Sequence, residues 1–157
     1  MNKQISLSNC LGRKILLSLT ALLVILIAPF LTGCQNQEGL KDGYYTVEMA
    51  EYSNGWKEFV TICVSNGKIV TVEYNAKNAS GFIKSWDMAY MTRMNSAKGT
   101  YPNYYTRAYA ASFLKSQDPE KIDAVTGATH SGENFHKMTA ALVEKAAKGD
   151  TSLGIIE

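Results

Sequence analysis

Phe59-Val-Thr-Ile-Cys63-Val-Ser-Asn66-Gly67-Lys-Ile-Val70-Thr-Val-Glu-Tyr74 decides the fold. Two runs rich in β-branched residues flank an Asn-Gly pair, the strongest short-range signal for a two-residue hairpin, because both central positions of that turn need positive φ. A second pair, Asn54-Gly55, precedes the first run, so residues 43 to 75 divide into three strands of an antiparallel meander. With two-residue turns, Ser65 faces Lys68, Cys63 faces Val70 and Phe59 faces Tyr74. Phe59, Thr61, Cys63, Val70, Val72 and Tyr74 then share one face, and Tyr45, Val47, Met49, Val60, Ile62 and Val64 share the other. Both faces carry apolar residues, so both are expected to be covered. The same register sets Glu51 against Glu58, a repulsive pair that invites the first hairpin to slip. Cys63 reads as a buried small hydrophobe rather than a reactive thiol.

Downstream the period changes to helical. Ile83, Trp86, Tyr90 and Met94 recur as one apolar stripe. Met88, Met91 and Met94 carry the soft thioethers of a Cu(I) site, but Met88 points about 160° from Tyr90 on an ideal helix, so the three read as core and surface methionines. Pro102 suits the first position of another helix, with Tyr101, Tyr104, Tyr105, Ala108 and Ser112 along one side. Gln117-Asp-Pro-Glu120 ends that helix. A last helix, from about residue 132 to 148, buries Phe135, Met138, Leu142 and Ala146 and stops at Gly149. The expected architecture is therefore α+β: a twisted antiparallel meander packed with two to three helices.

At the other end, Lys3, Arg13 and Lys14 precede an apolar run over residues 15–30, the order of a secretory signal. Leu31-Thr32-Gly33-Cys34 resembles a bacterial lipobox, which implies cleavage before Cys34 and a diacylglyceryl thioether on it. An uncleaved anchor is the alternative, since the run is nearly long enough to span a bilayer. Either way the domain is expected on the extracytoplasmic face of the cell membrane. Each buried lipid CH2 contributes about 0.8 kcal/mol, so two acyl chains hold where one does not. The chain divides into a signal peptide (1–33), a lipidated tether (34–42), a domain (43–149) and a tail (150–157).

Cleavage removes three of the basic residues, turning a formal charge of +2 into −1, so no nucleic-acid surface is expected. Cys10 leaves with the signal and Cys34 is lipidated, so Cys63 stands alone. No disulfide can form, and no cysteine pattern for haem, zinc or iron-sulfur exists. His130 and His136, six apart, lie about 120° from each other on a helix, so no metal site is expected. Redox chemistry, if present, needs another cofactor.

The chemistry sits at Asp123-Ala-Val-Thr126-Gly127-Ala128-Thr129-His-Ser131. A strand or loop runs through a Gly-Ala turn into a helix N-terminus, whose free N–H groups and dipole favour a phosphate by about 0.3 to 1 kcal/mol. Gly127 and Ala128 leave the Thr126 and Thr129 hydroxyls little hindered. A plain N-cap by Thr129 or Ser131 would explain the hydroxyls but not Asp123 or the Gly-Ala pair.

Asp123-x-x-Thr126-Gly127-Ala128-Thr129 resembles the flavinylation signature of the FMN-binding domain family, and the likeness extends from Leu40-Lys-Asp-Gly43-Tyr-Tyr-Thr46 to about Lys148. It implies that a dedicated transferase, using FAD and Mg²⁺, joins FMN to Thr129 as a phosphoester. Asp123 would serve that transferase, and Thr126, Gly127 and Ala128 would shape the turn it reads. Trp86 or one or two of the tyrosines near Pro102 would lie against the flavin ring. No residue is expected to be catalytic. The resemblance implies a lipid-anchored electron carrier, similar to the flavinylated lipoproteins of extracellular electron transfer and to the covalent-FMN components of sodium-translocating NADH:quinone reductases. It would pass electrons from a membrane quinol or NADH dehydrogenase to an external acceptor. The alternatives are a lipoprotein holding FMN or another small ligand noncovalently, and a reductase with its own substrate.

Overall fold

Both Asn-Gly pairs make the turns that their chemistry demands: Asn54 and Asn66 have φ of 52° and 53°, Gly55 and Gly67 of 82° and 71°. The structure, a computed structural model, describes residues 39–157. The signal segment, the lipobox and Cys34 lie outside the described residues. The turns join β1 (Gly43–Met49), β2 (Lys57–Ser65) and β3 (Lys68–Lys77) into the expected antiparallel meander.

The registers differ from ideal two-residue hairpins in two ways. In the second hairpin Ser65 pairs with Lys68 and Val64 with Ile69, but Cys63 pairs with Thr71, leaving Val70 as a β-bulge. A one-residue shift moves a strand's side chains to the opposite face. Phe59 therefore faces Asn75, and Tyr74 faces Val60 on the core side, while Val70 turns outward at 46 % exposure. In the first hairpin the tip pairs Ser53 with Trp56, yet the ladder pairs Glu48 with Phe59. Four residues, Met49 to Tyr52, stand between these pairs on one side and two, Lys57 and Glu58, on the other, so the register slips by two and Glu51 is not set opposite Glu58. That slip preserves parity, and Tyr45 and Val47 keep the inward face.

The sheet is mixed rather than wholly antiparallel. A short strand β4 (Gly154–Ile156), formed by residues that read as a tail, pairs parallel to β1 with Val47 opposite Gly154, giving the order β3-β2-β1-β4. One sheet face packs on helices and buries Tyr45, Val47, Val60, Ile62 and Val64. The other is covered only in part: Asn75 is buried against Ser85, but Tyr44 is 71 % exposed and Cys63 is only half-buried, against the expectation that both faces would be covered and that Cys63 would be core.

Three helices follow. α1 (Met88–Lys98) starts later than the Ile83 stripe suggested; Lys84–Trp86 is a separate 3-10 turn, Trp86 is 66 % exposed, and no residue of α1 is buried. Asp87 caps α1, its Oδ1 accepting from the Tyr90 N–H at 2.8 Å. α2 (Pro102–Ser116) begins at Pro102 as its sequence requires. Its buried face is Tyr105, Thr106, Tyr109, Ala110 and Phe113; Tyr104, expected on that side, is exposed. α3 (Thr129–Lys148) buries Phe135, Met138, Leu142 and Ala146 as expected, and Gly149 ends it at φ 73°. Removing one such aromatic side chain from water stabilises by roughly 1.5 to 3 kcal/mol.

Candidate functional site

Thr129 is the first residue of α3 and is exposed. Ala128 occupies the N-cap without a side-chain bond, and Ser131 Oγ donates instead to Glu58 Oε1 at 2.7 Å, so neither hydroxyl of the motif caps the helix. The N–H groups of Thr129, His130 and Ser131 find no acceptor among the described residues; the first bond of the helix runs from Gly132 N to Ala128 O at 2.9 Å. A helix start with free donors and no cap is suited to an anion.

The turn before it is held from the core. Tyr109, 1 % exposed, accepts at its hydroxyl from the Val125 N–H (3.2 Å) and donates to the Ala128 carbonyl (3.3 Å). Gly127 has φ of 80°, and a Cβ there would lie 2.5 Å from the Lys98 carbonyl oxygen, so both conformation and space require glycine. Asp123 is fixed by Ser112, whose Oγ accepts from the Asp123 N–H at 2.9 Å and donates to Oδ2 at 3.3 Å.

The motif is divided between two depressions. Gly127, Ala128 and Thr129 line a cleft of about 290 Å³ with Trp56, Lys84 and Tyr90, which Met94, Lys98 and Tyr105 complete. Asp123 and Thr126 line a separate groove of about 560 Å³ beside Tyr104 and Lys115. The structure thus brings three of the five motif residues to the cleft and leaves two outside it.

Glu58 anchors the cleft's floor. It is 6 % exposed, and beyond the Ser131 bond it accepts from Tyr74 at Oε1 (3.0 Å) and from Asn134 Nδ2 at Oε2 (2.7 Å). The Tyr74 hydroxyl also lies 2.9 Å from the Ser131 carbonyl oxygen. Burial, then the Glu58 charge and Tyr105, hold the Tyr74 phenol well above its ordinary pKa. Lys84 is buried too, with Nζ 4.8 Å from the Tyr90 ring centroid. Burial works against its charge, but Tyr105, Tyr90 and Glu58 outweigh that and raise its pKa above the usual lysine value. Burial also raises the Tyr105 phenol, with Lys84 moderating the rise. Trp56 meets Tyr90 edge-on, centroids 6.0 Å apart.

An isoalloxazine needs flat apolar walls and its phosphate needs donors, and this cleft has both: Trp56, Tyr90, Met94 and Tyr105 among its lining residues, and free N–H groups at the helix start with Lys84 and Lys98. Trp86, Tyr101 and Tyr104 do not line the cleft; of the aromatic residues expected there, Tyr105 does. Trp56, Glu58 and Lys84 escaped the sequence reading. Glu58 had a signal, since it shares inward parity with Val60, Ile62 and Val64. His130 reaches the cleft, whereas His136 Nδ1 sits 3.0 Å from the Pro119 carbonyl oxygen. No group of three or more His, Cys, Asp or Glu among the described residues could hold a metal ion.

An α+β domain whose uncapped helix start opens into an aromatic-walled, lysine-bearing cleft belongs to the class of small cofactor-holding domains. The profile of the FMN-binding domain matches residues 53–144, and the chain belongs to that family. It is 32 % identical over 121 residues to the 15 kDa lipoprotein of Treponema pallidum (strain Nichols), covering 76 % of this chain and 86 % of that protein. A crystal structure of a Clostridium perfringens protein superposes with a TM-score of 0.71 at 34 % identity, over 74 % of this chain and 97 % of the other.

Proposed function

We propose that this domain is an extracytoplasmic, lipid-anchored electron carrier with FMN joined to Thr129 through a phosphoester. The observation that carries the reading is the Thr129 hydroxyl itself, exposed at an uncapped helix start and opening into a cleft that suits a flavin. The Treponema relative's description as a lipoprotein and the Leu31-Thr-Gly-Cys34 sequence support anchoring at Cys34.

The attachment balances as a transfer. The Thr129 oxygen takes the FMN phosphorus of FAD, the bond between the two phosphates breaks, and AMP leaves while the hydroxyl proton goes to solvent. A transferase with Mg²⁺ performs it, and Asp123 and Thr126, in their own groove, remain free for that enzyme to read. FMN supplies the redox chemistry that the side chains lack. The domain's residues hold it: first-turn N–H groups and Lys98 meet negative charge, aromatic walls exclude water, and Tyr109 keeps the turn rigid. A membrane quinol or NADH dehydrogenase is the proposed donor.

The test is the intact mass of the domain made with an FMN transferase and then denatured, beside Thr129→Ala. A gain of one FMN less one water, absent from the variant, supports the reading. Flavin released on denaturation and unaffected by Thr129→Ala would instead make this a noncovalent flavin-binding lipoprotein.

A further inference from the structure

Lys84 is 8 % exposed, although lysine is among the residues least often buried. None of the ion pairs among the described residues includes it. Its ammonium lies over the Tyr90 ring and shares the cleft with Trp56, Met94 and Tyr105. Tyr105, Tyr90 and Glu58 more than offset the cost of burying the ammonium, so the cleft holds a fixed positive charge against an aromatic ring. A negative charge arriving in the cleft would meet it at short range in a largely dry setting. The helix start already provides donors for a phosphate, whereas Lys84 is set among the aromatic residues. The other ionisable groups lining the cleft are Glu58, Tyr90, Lys98, Tyr105 and His130. Glu58 is the one carboxylate among them, and its oxygens are committed to Ser131, Tyr74 and Asn134.

The geometry points to Lys84 as the residue that sets the reduction potential of the flavin, an assignment that rests on the FMN reading above. Two electrons and one proton from a reductant leave one negative charge in the cleft, and a second proton from water would cancel it. Lys84 moves no electron and gives up no proton. Its fixed charge stabilises the reduced side of the equilibrium and so raises the potential.

Wild type, Lys84→Met, Lys84→Arg and Glu58→Gln, each loaded by FMN transferase and checked for attached mass, are titrated with dithionite against reference dyes at pH 7. In Lys84→Met the reduced form should lose about tenfold in relative stability, a fall of about 30 mV for a two-electron couple. Lys84→Arg should stay close to wild type. Glu58→Gln, which removes the one carboxylate lining the cleft, should move the potential upward, the opposite sign, and so calibrates the effect of a single charge there. A Lys84→Met potential equal to wild type overturns the assignment alone. Should Lys84→Met fail to fold or load, Lys84→Gln, loaded and titrated in the same way, decides: a potential below wild type supports the assignment and an unchanged potential overturns it. A wild type that takes up no flavin overturns the FMN reading, and the assignment with it.

Discussion

α1 and α3 each supply a rim of the same cleft, and they are held in opposite ways. α3 buries Phe135, Met138, Thr139, Leu142 and Ala146 against the sheet, whereas α1 buries no residue and depends on an Asp87 cap, a Gly99 left-handed stop and partly buried contacts such as Met94. Thr129, the proposed attachment residue, is therefore on the well-packed element, and Tyr90, Met94 and Lys98 line the cleft from the sparsely packed one. A segment with few buried apolar contacts opens locally at far lower cost than the whole domain unfolds. Ligand entry is expected from the α1 side.

The largest effect should come from attacking the rigid rim. Phe135→Ala removes a fully buried ring that packs on Tyr74 with centroids 4.6 Å apart, and should cost about 3 to 5 kcal/mol in denaturant unfolding. Met88→Ala on exposed α1 should stay within about 0.5 kcal/mol. Equal losses for the two would sink the comparison. Where the rims touch, Gly127→Ala forces a left-handed alanine against the Lys98 carbonyl, and a destabilisation of about 1 to 3 kcal/mol is expected from calorimetry. Asp87→Ala should cost about 1 kcal/mol, and hydrogen exchange should quicken in α1 while α3 stays protected. Exchange that quickened equally in α3 would show the two rims to be one unit.

The smallest effect lies just beyond the end of α3. Lys145 Nζ lies 2.6 Å from Asp150 Oδ2, and that bond with those from Ser152 holds the Asp150 carboxyl well below its ordinary value of 3.8. A depressed carboxyl stabilises the fold above its unfolded pKa and loses that contribution as pH falls through the folded one. Acid titration below about pH 4 should therefore loosen the helix end slightly in wild type and less in Asp150→Asn. No difference between the two would mean that exposure to solvent cancels the bond.

What can be read from the sequence is local. The two Asn-Gly turns, Pro102 at a helix start, the α3 stripe and Gly149 each carry their signal within a few residues. The Val70 bulge does not, because a single extra residue leaves the alternation of Lys68 to Tyr74 looking regular while reversing part of it. β4 is three residues long, too short for a periodic signal, and its partner β1 lies at the far end of the domain. The cleft divides along the same line. Gly127, Ala128 and Thr129 are one contiguous motif and are legible; Trp56, Glu58, Lys84 and Tyr90 converge from separate elements. The stripe that contains Tyr90 and Met94 reads as core because spacing alone does not tell an apolar face against protein from one against a ligand cleft.

The parallel pairing of β1 with β4 also gives the domain a mechanical character. Val47, Glu48 and Met49 run alongside Gly154, Ile155 and Ile156 in the same direction, and Ala50 N bonds Ile156 O at 2.7 Å. A pull on the chain before Gly43 against a load after Ile156 draws the two strands lengthwise past each other, so their bonds share the force together rather than parting one by one like a zipper. If the chain is held upstream of β1, as the proposed anchor would hold it, these bonds take such a load together.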